Sequence, residues 1–244
     1  PDDGYLACGD VGAGRLASPD IIADATLDVL ARTRDMEGMR VLVTAGPTQE
    51  PLDPVRYLSN GSSGKSGYAL AAEARDRGAQ VTLVSGPVAL PEPEGVDVIH
   101  VRTAREMLDA CEAPFADANI AVFVAAVSDW RPEAVHEQKI KHDGNDMTVT
   151  LVPNPDIAAT LAASKGTTKV VTYAAETQNV LDNARRKLAA KNADLVVAND
   201  VSGELGMGSA DNHVWFVSAD GVEEFPVLPK RLIARKLFDR LLAK

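Results

Sequence analysis

From Met39 onward the chain repeats one texture: a short run of Val, Leu, Ile and Ala, a polar segment with helical spacing, and then another apolar run. Apolar runs without polar alternation mark strands buried on both faces, and helices between them mark crossover connections. Strands are predicted at 40–45, 80–85, 97–101, 120–126, 169–175 and 194–198, with helices at 64–77, 104–111, 156–163, 180–191 and 229–242. The expected fold class is α/β, a Rossmann-like, mostly parallel sheet flanked by helices. Two segments break the alternation and predict antiparallel pairing: TVTLVP at 148–153, after a polar stretch from Arg131, and the hairpin-like pair 213–217 and 222–227 around Asp220-Gly221. Such segments suit a flap or a dimerisation arm. An uncovered edge strand is a liability unless another chain pairs with it, so a homodimer is expected.

The first 38 residues differ. PDDGYLACGDVGAGRL is Gly-rich, with neither helix nor strand period, and leads into a predicted helix from Pro19 to about Arg34. Nothing there can bury a core alone, so the domain that carries function is expected at 39–244.

Composition excludes several function classes. A formal charge of -10, with no basic run or aromatic-basic platform, argues against nucleic acid as a partner. No segment is apolar for long enough to cross a membrane, and the chain reads as soluble. Two cysteines, Cys8 and Cys111, are too few for a disulfide framework or a structural zinc site, which makes a reducing cytoplasm the default compartment. The four histidines show no metal-ligand spacing. Cys111 has apolar neighbours at helical spacing and reads as a packed thiol; Cys8 sits in the Gly-rich loop Ala-Cys-Gly-Asp.

In a doubly wound sheet the ligand lies beyond the C-terminal ends of the strands. The residues there are small and polar: Gly46-Pro47-Thr48, Ser85-Gly86-Pro87, Ala125 to Asp129, Ala174 to Thr177 and Asn199-Asp200. The stretch LSNGSSGKSG from Leu58 contains Gly-Lys-Ser but is no P-loop, because Ser59 stands where the first glycine is required and about twenty residues separate it from the preceding strand. What remains is a small-residue loop, Gly61 to Gly64, opening a helix whose first N–H groups are free for an anion. Asp129, at the end of the most apolar run, reads either as a turn aspartate or as a contact to Mg²⁺ or ribose. Lys187 and Lys191 are i and i+4 on one helix face, a solvated stripe or a pair of phosphate contacts. Lys139 and Lys141, in the polar stretch, read as solvent-facing. An NAD(P)-dependent oxidoreductase is the alternative from another class, although GPT after the first strand does not complete GxGxxG and no serine-then-Tyr-x-x-x-Lys arrangement is present.

Taken in order, GPTQEPLDPVRYLSNGSSGKSG, AAVSDW, KIK, NPDI, AAET and AND resemble the phosphopantothenate–cysteine ligase half of the bacterial bifunctional coenzyme A biosynthesis proteins, from about Met39 to the C-terminus. LACGDVGAGRL is similar to the end of the companion decarboxylase half, so 1–38 is expected to be the tail of a truncated FMN-dependent decarboxylase plus a linker helix, with Cys8 at its catalytic position but idle here. The resemblance implies CTP-dependent ligation of L-cysteine to 4'-phosphopantothenate through an acyl-cytidylate, with Mg²⁺ or Mn²⁺. It assigns catalysis to Asn60, beside the acyl group, and to Lys139, which reverses the solvent-facing reading. It assigns nucleotide contacts to Ala125, Ala126, Asp129, Lys139, Pro155, Asp156, Ile157, Ala158, Tyr173, Lys187 and Lys191, and the metal contact to Asp129. Gly46, Asn60, Ser62, Ser63, Gly64 and Asn199 are implied substrate contacts, the loop after Asn60 taking the phosphopantothenate phosphate. The sequence departs from the family pattern at His142, where a further basic residue is expected, and at Trp130, which stands for a smaller aromatic.

Overall fold

The computed structural model describes residues 2–5, 11–16, 19, 22, 26, 34–201 and 208–243, and the chain falls into two units, Pro1–Asp35 and Met36–Lys244. In the first unit β1 (Asp2–Tyr5) pairs antiparallel with β2 (Val11–Arg15). This corrects the expectation of irregular chain there: the ladder is a backbone structure, and glycines facing each other at Gly4 and Gly12 leave no side-chain alternation to announce it. Pro19, Ile22 and Thr26 are helical; Cys8 and most of the predicted helix to Arg34 lie outside the described residues.

The second unit is built on an eight-stranded sheet. Its strands are β3 (Arg40–Ala45), β6 (Gln80–Ser85), β7 (Asp97–His100), β8 (Ile120–Phe123), β11 (Lys169–Glu176), β12 (Leu195–Asp200), β13 (Asp211–Ser218) and β14 (Gly221–Pro229), in the order β14-β13-β12-β11-β8-β3-β6-β7. Pairing is parallel from β12 to β7, and β13 and β14 add an antiparallel hairpin at one edge. Short hairpins, β4 (Gln49–Pro51) with β5 (Tyr57–Ser59) and β9 (Trp130–Pro132) with β10 (Leu151–Pro153), stand apart from it. The predicted strand 148–153 thus pairs only over its last three residues, and the β4–β5 hairpin, interrupted by Pro51 and Pro54, gives no periodic signal.

Consecutive residues of β3 point to opposite sides and both sides are buried. Val41 and Val43 join a cluster with Leu70, Ala74, Leu237 and Phe238, under α1 (Lys65–Asp76) and α5 (Lys230–Leu242). Leu42 joins Met107, Cys111, Ile157 and Leu161 under α2 (Ala104–Ala116) and α3 (Ile157–Ala162). A third cluster, around Ala184 and Val196, seats α4 (Val180–Ala190). Met36, completely buried, belongs to the first cluster, so the packed unit begins before the predicted boundary at 39. Helix α1 lies so close to β3 that a Cβ at Gly67 would come within 2.5 Å of the Ala45 Cβ, which only glycine avoids.

α2 runs past the predicted end at Cys111 to Ala116 despite Pro114. A capping box holds its start, with Thr103 and Glu106 each bonding the other's backbone N–H, and Met107, Cys111 and Phe115 keep one face buried through the proline. Conversely, β8 ends at Phe123, three residues before the predicted end. The Thr44 hydroxyl accepts from Val124 N at 3.1 Å and Ala125 N at 3.2 Å, drawing the chain out of the ladder.

Candidate functional site

A cleft of about 460 Å³ opens where the chain leaves β3 and β8, on either side of the point at which strand order reverses. That is where a doubly wound sheet leaves room for a ligand, and the volume suits a small molecule. Its floor is Ala125 to Ser128, held by two segments: Ala126 N donates to Gly46 O at 2.9 Å and Ser128 N to the Thr48 hydroxyl at 3.0 Å, while Asn60 Nδ2 donates to the carbonyls of Ala126 and Val127 at 3.2 and 3.0 Å. Two carbonyl partners fix the orientation of the Asn60 amide and leave Oδ1 as its remaining acceptor.

Gly61 to Gly64 form one wall. Gly64 is the N-cap of α1 at φ +75°, with no side-chain cap on the helix, and a Cβ there would meet Val88 Cγ1 at 2.7 Å. The helix therefore starts with unsatisfied N–H groups at the cleft, the feature anions use. The connection from β3 to α1 holds the whole β4–β5 hairpin, which is neither the tight strand–turn–helix of a P-loop nor that of a dinucleotide fold.

The opposite wall carries charge. Asp156 caps α3 by accepting from Ala159 N at 3.1 Å and pairs with Lys191 at 3.0 Å. Lys187 reaches Tyr173 O at 3.3 Å and Glu176 at 3.8 Å. Burial holds the Lys187 ammonium below the usual lysine range, Lys191 lowers it further, and Glu176, Asp129 and Asp156 oppose the shift. Burial also pushes the Tyr173 phenol up, so it stays protonated. Asp129 is exposed at the rim, and its backbone carbonyl accepts from Asn154 N at 2.8 Å.

Of the residues singled out in the sequence, the cleft brings together Gly46, Asn60, Ser62, Ser63, Gly64, Ala125, Ala126, Asp129, Pro155 to Ala158, Tyr173, Lys187, Lys191 and Asn199. Lys139 is exposed and lies outside the lining. Its neighbour Ile140 is clasped at both ends, its N–H by the buried Asp53 at 3.1 Å and its carbonyl by Arg56 at 2.6 Å, which ties this segment to the loop before β5. Cys8 lies outside the described residues. The lining also includes Thr44, Thr172, Asn212 and Lys230, none of which the sequence reading named, and Lys65, which it weighed as the lysine of a P-loop and set aside. Among the described residues, two buried side-chain oxygens have no hydrogen-bond partner, Thr172 Oγ1 and Asn199 Oδ1, and both residues line this cleft. A buried polar oxygen without a protein partner is costly unless water or a ligand completes its network, and both of these sit where a ligand in the cleft can do so.

No group of three or more His, Cys, Asp or Glu able to hold a metal occurs among the described residues. Asp129 beside a phosphate-bearing ligand still fits Mg²⁺, which takes one or two carboxylates and fills its shell with phosphate and water oxygens.

The model of the DNA/pantothenate metabolism flavoprotein C-terminal domain matches residues 36–244. The chain belongs to this family. Members similar to it include the coenzyme A biosynthesis bifunctional protein CoaBC of Escherichia coli strain K12, 45% identical with all of this chain aligned, and that of Vibrio vulnificus, 44% identical with 99% aligned. The chain spans about 61% of the length of these relatives. The crystal structure of the C-terminal domain of a CoaBC protein superposes with a TM-score of 0.74 at 38% identity, covering 86% of this chain and 96% of that one. Among the described residues no helix is long and apolar enough to cross a membrane.

Proposed function

We propose that residues 36–244 form a phosphopantothenate–cysteine ligase domain of coenzyme A biosynthesis, using CTP to activate 4'-phosphopantothenate. The observation that carries this reading is the cleft itself: orphan acceptors, an uncapped helix start and lysines at both ends surround a neutral alanine floor beside a fixed carboxamide. Such a site suits anions that must be brought together, and the relatives similar to this chain are named for coenzyme A biosynthesis.

A carboxylate is a poor acyl donor until its oxygen becomes part of a good leaving group. In the first step the pantothenate carboxylate attacks the α-phosphorus of CTP, the α–β P–O bond breaks and pyrophosphate leaves. In the second, the cysteine amine attacks the acyl carbon, CMP leaves and the amine loses a proton. Lys187 and Lys191 hold the nucleotide beside Pro155–Ala158 and Tyr173, offsetting repulsion between the two anions. Asp129 holds Mg²⁺, which when bound supplies further neutralisation of the phosphates. The loop from Ser62 to Gly64 takes the phosphopantothenate phosphate, and Asn199 contacts the pantothenate part.

Asn60 stabilises the acyl oxygen during attack by cysteine. Both hydrogens of its amide are engaged by the Ala126 and Val127 carbonyls, so one of these bonds opens when the acyl group arrives. Lys139 reaches the transferring phosphate from a segment that closes over the cleft, pivoting beside the clasp at Ile140. Trp130, Val135, Met147, Leu151, Val55 and Tyr57 are exposed apolar residues on the two short hairpins and the segment that carries Lys139, which supports a homodimer formed through this surface. In the full-length protein the decarboxylase half, with FMN and Cys8, acts on the product.

The test is product identification. Protein with CTP, Mg²⁺, 4'-phosphopantothenate and L-cysteine should yield CMP and phosphopantothenoylcysteine by mass spectrometry. Neither product from folded protein overturns the reading, while equal or faster turnover with ATP overturns only the choice of base. A monomer by light scattering removes the dimer.

A further inference from the structure

Four lysines line the cleft, in two pairs of different character. Lys187 and Lys191 each face a carboxylate. Lys65 and Lys230 have no carboxylate within ion-pair distance among the described residues. Lys65 Nζ donates to Gly208 O at 2.8 Å; Lys230 Nζ donates to Ser209 O at 2.6 Å and to the Asn212 side-chain oxygen. Two ammonium groups are thus seated on neutral oxygens of adjacent residues. Burial holds Lys230 below the usual lysine range and the Lys65 charge adds to this, with Asp211 opposing.

Lys65 is also the first residue of α1, so the pair stands where the uncapped helix start faces the cleft. Like charges, a positive helix end and neutral acceptors form an arrangement that favours an anion of more than one charge. We propose that Lys65 and Lys230 form a clamp for a multiply charged phosphate, exchanging their bonds to the 208–212 segment for phosphate oxygens. The source of that phosphate rests on the ligase reading: either the polyphosphate tail of the nucleotide or the phosphate monoester of 4'-phosphopantothenate.

Calorimetric titration of the wild type, Lys65→Gln and Lys230→Gln with CTP, inorganic pyrophosphate and 4'-phosphopantothenate tests the clamp, with thermal unfolding to verify each fold. Lys236→Gln is the control, since it removes the same charge from the helix that Lys230 opens, while Lys236 sits 5.5 Å over the Phe225 ring and outside the cleft lining. Each cleft variant should lose affinity by about tenfold or more. Loss confined to CTP and pyrophosphate assigns the polyphosphate tail; loss confined to phosphopantothenate assigns the monoester; arginine at either position should restore most of it. Losses no larger than the control's overturn the clamp, as does wild-type protein that binds none of the three. Failure of the ligase reading registers differently, as protein that binds these ligands and forms no product.

Discussion

Thr172 gives a prediction in which stability and function move in opposite directions. It lies in β11 between Phe123 of β8 and Val196 of β12, is 2% exposed, and its hydroxyl oxygen has no partner. Thr172→Val keeps the branched shape that suits a central strand and removes only the orphan group. A buried unsatisfied polar group costs about 1–3 kcal/mol, part of which the strand recovers, so the ligand-free variant should be more stable by about 1–2 kcal/mol. For a domain of this size each kcal/mol moves Tm by about 2–4 °C, which gives a rise of roughly 2–8 °C by calorimetry. The same change should weaken the substrate that meets the hydroxyl by about two- to tenfold, one hydrogen bond's worth, in titrations with CTP and with 4'-phosphopantothenate. An unchanged or lowered Tm together with normal affinity for both would refute the reasoning, because the hydroxyl would then be neither unsatisfied nor directed at a ligand.

Other outcomes follow from the same geometry. Asn60→Asp should leave pyrophosphate release detectable while transfer to cysteine slows, because a carboxylate cannot donate to the acyl oxygen; equal loss of both steps contradicts the assignment. Lys139→Gln should abolish most turnover without moving Tm, since the side chain is exposed, and retained turnover makes it a bystander. The lowered pKa of Lys187 fixes a sign: between that value and the ordinary 10.5 the unfolded chain binds more protons than the folded one, so stability of the ligand-free protein should rise with pH across that window. Chemical denaturation of Lys187→Met at a series of pH values should show that slope diminished, and an unaltered slope removes Lys187 as its source.

The central sheet is legible in the sequence because its strands are buried on both faces. VLVTA and VTLVS need no partner to declare themselves, and both match the observed strands residue for residue. The residues that peel away from the sheet are not legible in the same way. Val124 to Ala126 continue an apolar run but are drawn out by the Thr44 hydroxyl and Gly46 carbonyl, contacts about eighty residues distant. Pro114 reads as a stop signal, yet a burial stripe carries α2 through it. In the site, the small-residue loop, the strand-end residues and the Lys187–Lys191 spacing carried a local signal, and motif resemblance extended it to Tyr173. Thr172 carried none, since a threonine in a strand is ordinary until its oxygen is found buried without a partner. Lys230 opens the last helix far from the loop it faces, and only the antiparallel return of β13 and β14 brings it to Lys65.

The most direct test of the account is pyrophosphate release measured with CTP, Mg²⁺ and 4'-phosphopantothenate, with and without L-cysteine. Release without cysteine, limited to about one equivalent per site, and sustained turnover with CMP once cysteine is added, is the predicted result. No pyrophosphate under either condition from folded protein would contradict it.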